Sequence, residues 1–307
     1  MTRDTATITP ARSRRRRTPR ARLGRAGFFF VIPAAGYIAA FHIYPVLYGL
    51  FLSFTDYSPL RRGGPGWVGI GNYAELLSDP AFGRSLLVTV EYVVRVLPFA
   101  VVLALLLALL VNRPFRGVGL FRSAIYTPHI VSLIVVSMIW LWIYSDQGLV
   151  NQVLGVFGID GERWLLNEDT AMEAVSVMRV WKTLGGNMVL LLAGLQSIPK
   201  ELYEAARVDG AGWWAQLRYV TIPGLRPMLV YVVAVNVIGL SQGFAEIFLL
   251  TQGGPLGSTT TTNYLIYTEA FQYNRMGSAS AMAFILFALI SAMSLLAVRA
   301  VAGRKQS

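Results

Sequence analysis

The chain has 307 residues, 55% of them hydrophobic and 14% charged, with a mean hydropathy of +0.53 and a formal net charge of +11. A charged share about half that of soluble domains excludes an ordinary water-soluble globule. The absence of cysteine excludes disulfides, thiolate metal sites and cysteine nucleophiles.

Residues 1–26 form a basic tail with nine arginines, Arg14 to Arg17 among them. Such a run can bind nucleic acid, but directly before an apolar run it reads as a topology anchor on anionic lipid. No nucleic-acid partner is therefore expected, and the first apolar run is expected to stay as an uncleaved helix. About six apolar runs follow: Gly27 to Phe54, Ser85 to Val111, Phe121 to Tyr144, Ala171 to Leu195, Met228 to Leu250 and Ala279 to Val298. Each reaches the roughly 20 residues that a spanning helix needs. They are continuously apolar rather than alternating, which predicts helices and not a barrel. The expected fold is an all-α membrane protein, a bundle of about six transmembrane helices. Residues 27–54 supply the first helix and 85–299 a core of five more. With the N-terminus inside, the inner segments hold nineteen Lys and Arg and the outer loops five. That bias predicts a multi-pass protein with both termini cytoplasmic.

The loops have their own signals. Gly69-Ile70-Gly71-Asn72-Tyr73 leads into a short helical piece at Ala74–Leu77, and the loop after the fifth run joins Gly253-Gly254-Pro255 to threonines 259 to 262. The cytoplasmic segment 197–227 is the most structured. Ser197-Ile198-Pro199 is a helix start. Glu201 and Glu204 fall in its first turns, where the helix dipole favours acid. Ala205 and Ala206 offer a small surface for close packing, and Gly210 after Asp209 suits a left-handed stop. Trp213, Trp214 and Tyr219 make a second, aromatic piece, and Pro223 and Pro227 set the approach to the fifth span. An interfacial helix explains the tryptophans, but it needs neither the alanine pair nor the Asp-Gly stop.

No phosphate-cradling Walker string and no His-Glu-x-x-His occurs, so no catalytic residue, metal site or cofactor is expected in this chain. His42 and His129 read as packed or backbone-bonded helix residues rather than ligands. Glu91 and Arg95, four apart, are expected to pair. Arg179, Lys182, Thr183 and Gly186 share one face of the fourth span. Asn236, Gly239, Gly243 and Glu246 fall within about 80° on the fifth, at about 100° per residue. These faces suit a hydrated pathway, or equally helix-to-helix adhesion by small and polar residues.

Glu204-Ala205-Ala206, Gly210 and Ile222-Pro223 resemble the EAA loop of the membrane subunits of binding-protein-dependent ABC importers. The family pattern is Glu-Ala-Ala, three residues, Gly, nine residues, Ile, one residue, Leu-Pro. Val220 and Ile222 stand here at its two aliphatic positions. Asp209, Ala211, Leu225-Arg226-Pro227 and the Gly69–Tyr73 string are similar to the carbohydrate-uptake branch, the maltose, glycerol-3-phosphate and multiple-sugar type. So are Trp181-Lys182, Leu195 to Pro199, and Leu250 to Pro255 with its threonines. The resemblance implies a type I importer permease with a cytoplasmic coupling helix, a non-enzyme driven by a separate ATPase. Glu204, Ala205, Ala206, Asp209, Gly210 and Pro223 would couple to that ATPase. Asn187, Asn236 and Gly243, with Thr183, Gly239 and Glu246 on the same faces, would line the substrate pathway. The implied partners are a second homologous permease, two copies of an ATPase that binds ATP and Mg, an extracytoplasmic solute-binding protein and the lipids of a bacterial inner membrane. The alternative is a stand-alone proton-coupled secondary transporter using Glu91, Arg95 or Glu246.

Overall fold

The computed structural model describes residues 31–302; the basic tail, the start of the first apolar run and the last few residues lie outside them. Among the described residues there are helices and no strand, apart from one isolated antiparallel bridge between Thr55 and Trp67. The chain divides into two compact units, the first ending at Phe51 and the second starting at Leu52.

The described part of the first unit belongs to helix α1, Val31–Leu52, whose last residue opens the second unit and which has a π-helical turn at Ala39–Ile43. Its surface carries an aromatic ladder, Tyr37 to Phe41 at 4.9 Å and Tyr44 to Tyr48 at 6.0 Å between ring centroids. Most of its large apolar side chains are exposed, as befits a helix whose solvent is hydrocarbon.

In the second unit, the chain after α1 makes a turn closed by Val68 N–H to the Phe54 carbonyl at 2.9 Å. The short helix α2, Gly71–Ser78, fastens it. Asn72 donates to the Ser53 and Thr55 carbonyls at 2.9 Å each, and the Tyr73 hydroxyl to Ser53 Oγ at 2.8 Å. The asparagine and tyrosine of the Gly69–Tyr73 string are thus structural clasps. Helix α3, Pro80–Val111, opens on an Asp79 cap that accepts from Ala81 N–H. It buries Val96, Ala100, Ala104 and Ala108. This small residue at every fourth position lets another helix approach closely where lipid supplies no hydrophobic driving force.

That partner is α7, Glu168–Gln196, against which α3 packs most extensively. Between them come α4, Val118–Ile130, α5, Leu133–Ile143, and α6, Leu149–Val156. The sequence predicts one span over Phe121–Tyr144. The structure instead breaks it at Val131 and Ser132, where the backbone turns extended, and α4 and α5 lie 97° apart. Pro128 in the last turn removes a donor, and β-branched Val131 readily takes the extended form.

The predicted fifth span, Met228–Leu250, is corrected at both ends. Helix α8, Lys200–Val208, is followed by α9, one helix from Trp213 to Ser241 that runs straight through Pro223. A π-helical turn at Leu217–Thr221 precedes the proline. Its wider bonding, Ile222 N–H to the Leu217 carbonyl, accommodates the N–H that Pro223 lacks. At the far end α9 stops, and a separate short helix α10, Ala245–Leu250, follows. Helix α11, Thr262–Tyr267, continues into a π turn at Thr268–Gln272, and α12 is Met276–Ala302. Among the described residues α1, α3, α9 and α12 are each long and apolar enough to cross a membrane, and α4 with α5 makes a fifth if counted as one span. Helix α7 is as long but carries Glu168, Asp169, Glu173, Arg179 and Lys182 on one 29-residue helix. Glu168 and Asp169 lie exposed in its first turn, and Glu173, Arg179 and Lys182 are met by Arg95, Glu246 and the His129 carbonyl, so uniform apolarity is not required of it.

Candidate functional site

Two polar constructions stand out in the bundle. The first surrounds the break after α9. Glu246, in the first turn of α10, is 1% exposed and faces the Arg179 guanidinium of α7 at 3.2 Å. The Tyr92 hydroxyl of α3 donates to the same Glu246 Oε1 at 3.0 Å. Three helices thus meet at one carboxylate, while Glu246 Oε2 and Arg179 Nε find no partner among the described residues. The broken helix leaves carbonyls that need donors inside a low-dielectric bundle. Thr261 Oγ1 donates to the Gly243 carbonyl at 3.2 Å and Asn263 Nδ2 to the Gln242 carbonyl at 2.9 Å. Thr259 and Thr260 donate to the Gly254 and Gly253 carbonyls at 2.8 and 2.9 Å. Thr261 is therefore the donor of the threonine run that serves the discontinuity, while Thr259 and Thr260 close the loop after α10. Beyond it Glu269 accepts two bonds from Arg275, at 2.6 and 2.8 Å, which holds the guanidinium above its usual range.

Next to this cluster, α4, α7 and α9 enclose a cavity of about 370 Å³. Thr183, Asn187, Asn236 and Gly239 line it, with Arg179, Tyr126 and His129. Asn187 and Asn236 exchange amide bonds, at 3.3 and 2.9 Å, across α7 and α9. The wall from α4 is set by close approach. A Cβ on Gly185 would lie 2.2 Å from the Ile125 carbonyl, and one on Gly186 2.5 Å from the His129 ring. Lys182 Nζ donates to the His129 carbonyl at 2.7 Å, a cation on the carbonyl end of the broken α4. This arrangement offers amides, hydroxyls and ring faces, the groups that bind a polyhydroxylated solute, and no nucleophile–base pair.

The second construction is the exposed α8 and its stop. Gly210 has φ +78°. Ala211 N–H bonds the Ala206 carbonyl at 2.8 Å and Gly210 N–H the Arg207 carbonyl at 3.0 Å. This is the Schellman pattern, complete, and it turns the chain by a left-handed residue that only glycine adopts freely. Glu204, Ala205 and Asp209 are exposed and Ala206 half-buried, so the face is open to a partner.

Of the pathway residues expected from sequence, Thr183, Asn187, Asn236 and Gly239 come together on the cavity. Gly243 and Glu246 do not; they sit in the helix break behind it, where Glu246 holds the cavity's arginine. Sequence reasoning passed over Tyr92 and Tyr126 and set His129 aside as a packed residue, although its ring is cavity wall. Glu91 and Arg95 do pair, at 3.1 Å, and Arg95 also binds Glu173 of α7.

A bundle of broken apolar helices, a half-open cavity with a few amide and hydroxyl groups on a largely apolar wall, and an exposed capped helix suit a membrane transport subunit. Residues 68–306 match the family described as binding-protein-dependent transport system inner membrane component. The chain belongs to this family. It is 34% identical over 286 residues to the lactose transport system permease protein LacF of Rhizobium radiobacter, covering 91% of this chain and 95% of that protein. With the arabinooligosaccharides transport system permease protein AraP of Bacillus subtilis it shares 33% over 281 residues, 89% and 88% of the two. In fold it is similar to a chain of the bacterial alginate ABC transporter crystallised with its alginate pentasaccharide-bound periplasmic protein. The TM-score there is 0.80 at 23% identity, over 92% of this chain and 97% of that one.

Proposed function

We propose that this chain forms half of the translocation pathway of an ATP-driven importer for a sugar or related polyol. The observation that carries the reading is α9, one helix running from Trp213 beside the Glu204 segment to Asn236 on the cavity wall. At 1.5 Å per residue that is roughly 35 Å of continuous helix. An ATPase bound on Glu204, Ala205, Ala206 and Asp209 would displace α8 and Gly210, and α9 would carry that displacement past Pro223 to Asn236. The amide pair with Asn187 then opens or closes, a rigid-body switch of the kind that alternates access.

The kinship with LacF and AraP, permease proteins of lactose and arabinooligosaccharide transport systems, supports the sugar class. The charge bias supports an orientation with segment 197–227 and both termini on the ATP side. The remaining parts of the machine would be a second, homologous permease closing the other half of the pathway, two ATPase copies holding ATP and Mg, and an extracytoplasmic solute-binding protein delivering the sugar. A proton-coupled mechanism is less well supported, because Glu91, Arg95, Glu173, Arg179 and Glu246 are tied in ion pairs. The test is uptake of labelled lactose into proteoliposomes holding the permeases, ATPase and binding protein encoded together with this chain. Uptake is expected only with ATP on the α8 side. Uptake by this chain alone under a proton gradient would overturn the reading.

A further inference from the structure

Of the nine residues of α8 all but Tyr203 and Ala206 lie open on the surface, and among the described residues one side-chain hydrogen bond ties the helix to the rest of the bundle. The Tyr203 hydroxyl lies 3.0 Å from Thr221 Oγ1. Thr221 Oγ1 itself donates to the Gln216 carbonyl at 3.3 Å, which leaves the tyrosine as donor to it. The other side-chain bond of α8, from Arg207 Nε, returns to the Tyr203 carbonyl within the same helix. Thr221 is buried, 4% exposed, and ends the π turn at Leu217–Thr221 where α9 is bonded most loosely. The Tyr203 ring packs against the core cluster that includes Leu195, Ile198 and Leu225. With Trp213, Gln216 and Leu217 it also lines a cavity of about 410 Å³, so it sits between the last turn of α7 and the root of α9.

We infer that Tyr203 is the joint through which a displacement of α8 enters α9. The inference rests on the coupling reading above and adds the residue that transmits it. The covalent route from α8 to α9 runs through Gly210, Ala211 and Gly212, and two glycines in three residues make a compliant link. A rigid aromatic ring with two rotatable bonds, fixed at its tip by a buried hydroxyl, passes both push and pull at small entropic loss. Its target is also apt. A π turn has a second arrangement within reach, ordinary α bonding, so pulling on Thr221 can change the length and rotation of α9 below Pro223.

The chain has no cysteine, so a single reporter is clean. Val235→Cys on the cavity wall is assayed for its rate of maleimide labelling in nanodiscs carrying the assembled complex with its ATPase, with and without Mg-ATP. In the reporter background ATP is expected to change the rate by about fivefold or more, the lower range of inter-site coupling. Tyr203→Phe, which keeps the ring and removes the hydroxyl, is expected to bring that change to within about twofold of none while the ATPase co-purifies at the parent ratio. Thr221→Val should do the same, and the two substitutions together should do no more than either alone, as for one shared bond. A full ATP response in Tyr203→Phe overturns the joint while leaving the coupling reading intact. Loss of ATPase co-purification in Tyr203→Phe also overturns it, because the residue would then belong to the docking face. A parent complex that binds no ATPase overturns the coupling reading and the joint with it.

Discussion

The Glu204 segment and the broken end of α9 use glycine, acid and hydroxyl groups for opposite purposes. In the segment every partner is close in the chain: Gly210 is capped by Ala206 and Arg207, and the face that matters is left open. At the break most partners are distant, with Tyr92, Arg179 and Glu246 coming from three helices and Thr261 from the cap of a fourth, and little is left exposed. The first is left open on its outer face; the second is held from several sides. Their glycines show the difference. A Cβ on Gly210 would meet nothing within 4 Å, so this residue is glycine only for its backbone angle. A Cβ on Gly243 in the break would press on the Leu240 carbonyl and the Tyr92 ring, each at 3.0 Å, and one on Gly185 of α7, the helix that supplies Arg179, would strike the Ile125 carbonyl although its backbone is ordinary helix.

The contrast breaks first at Gly185. Gly185→Val puts a branched side chain where α4 backbone lies, and no rotamer relieves a collision with a carbonyl. The cost should exceed the ~1–3 kcal/mol usual for overpacking. The expected result is a protein that fails to give a monodisperse peak in detergent at the parent's temperature. A parent-like melting curve would show that α4 is loosely held and that the cavity wall is soft.

Glu246→Gln comes next. It keeps the shape and the Tyr92 bond but leaves Arg179 buried without a counter-charge, a loss of about 3–5 kcal/mol for a broken buried pair. Melting should fall steeply, and Glu246→Gln combined with Arg179→Met should recover much of it, since removing both charges removes the penalty. Additive losses in the double variant would deny the pair its role.

How far each region could be read from sequence follows from the same distinction. Helix starts, acid in the first turn, the Asp-Gly stop and the alanine pair are local grammar, and all were visible between residues 197 and 227. The Tyr92 to Glu246 bond joins residues 154 apart, and Tyr92 sits in an apolar run with nothing to distinguish it. The 97° turn between α4 and α5 had a sign in Pro128. Its support did not, because Lys182, 53 residues beyond His129, supplies the missing donor. Pro223 misled for a local reason. The rule that proline opens a helix holds for α-helical bonding, and the π turn before it suspends that rule. The polar face of α7 is a face, but of the four residues expected on the fifth span only Asn236 and Gly239 lie on α9; Gly243 and Glu246 fall beyond its end. The division into cavity lining and break support depends on where α9 stops, a tertiary matter that Ser241-Gln242-Gly243 only hinted at.

Gly210→Val tests the exposed side of the comparison. With open space around it the cost is the left-handed conformation alone, about 1–2 kcal/mol. The bundle should therefore melt close to the parent while sugar uptake per ATP hydrolysed falls sharply. Gly210→Asn, which tolerates that conformation, should sit near the parent in both assays. Equal damage from valine and asparagine would mean that Gly210 serves a contact with the ATPase and not a turn.

The smallest effect is expected at Thr261, and it discriminates best between a held break and a merely crowded one. Its hydroxyl donates to the Gly243 carbonyl at 3.2 Å and accepts from Tyr264 N–H at 3.4 Å, both long bonds. Thr261→Val preserves volume and removes both, so the loss should be about 1 kcal/mol, in line with single polar bonds between membrane helices. Thr261→Ser keeps the hydroxyl and should cost less than valine, even though it leaves a small void. If serine is instead the more damaging change, the break after α9 is stabilised by packing of the threonine methyl. Gly243 would then need no donor from α11, and Thr261 would be filler beside a discontinuity that Glu246, Arg179 and Tyr92 hold by themselves.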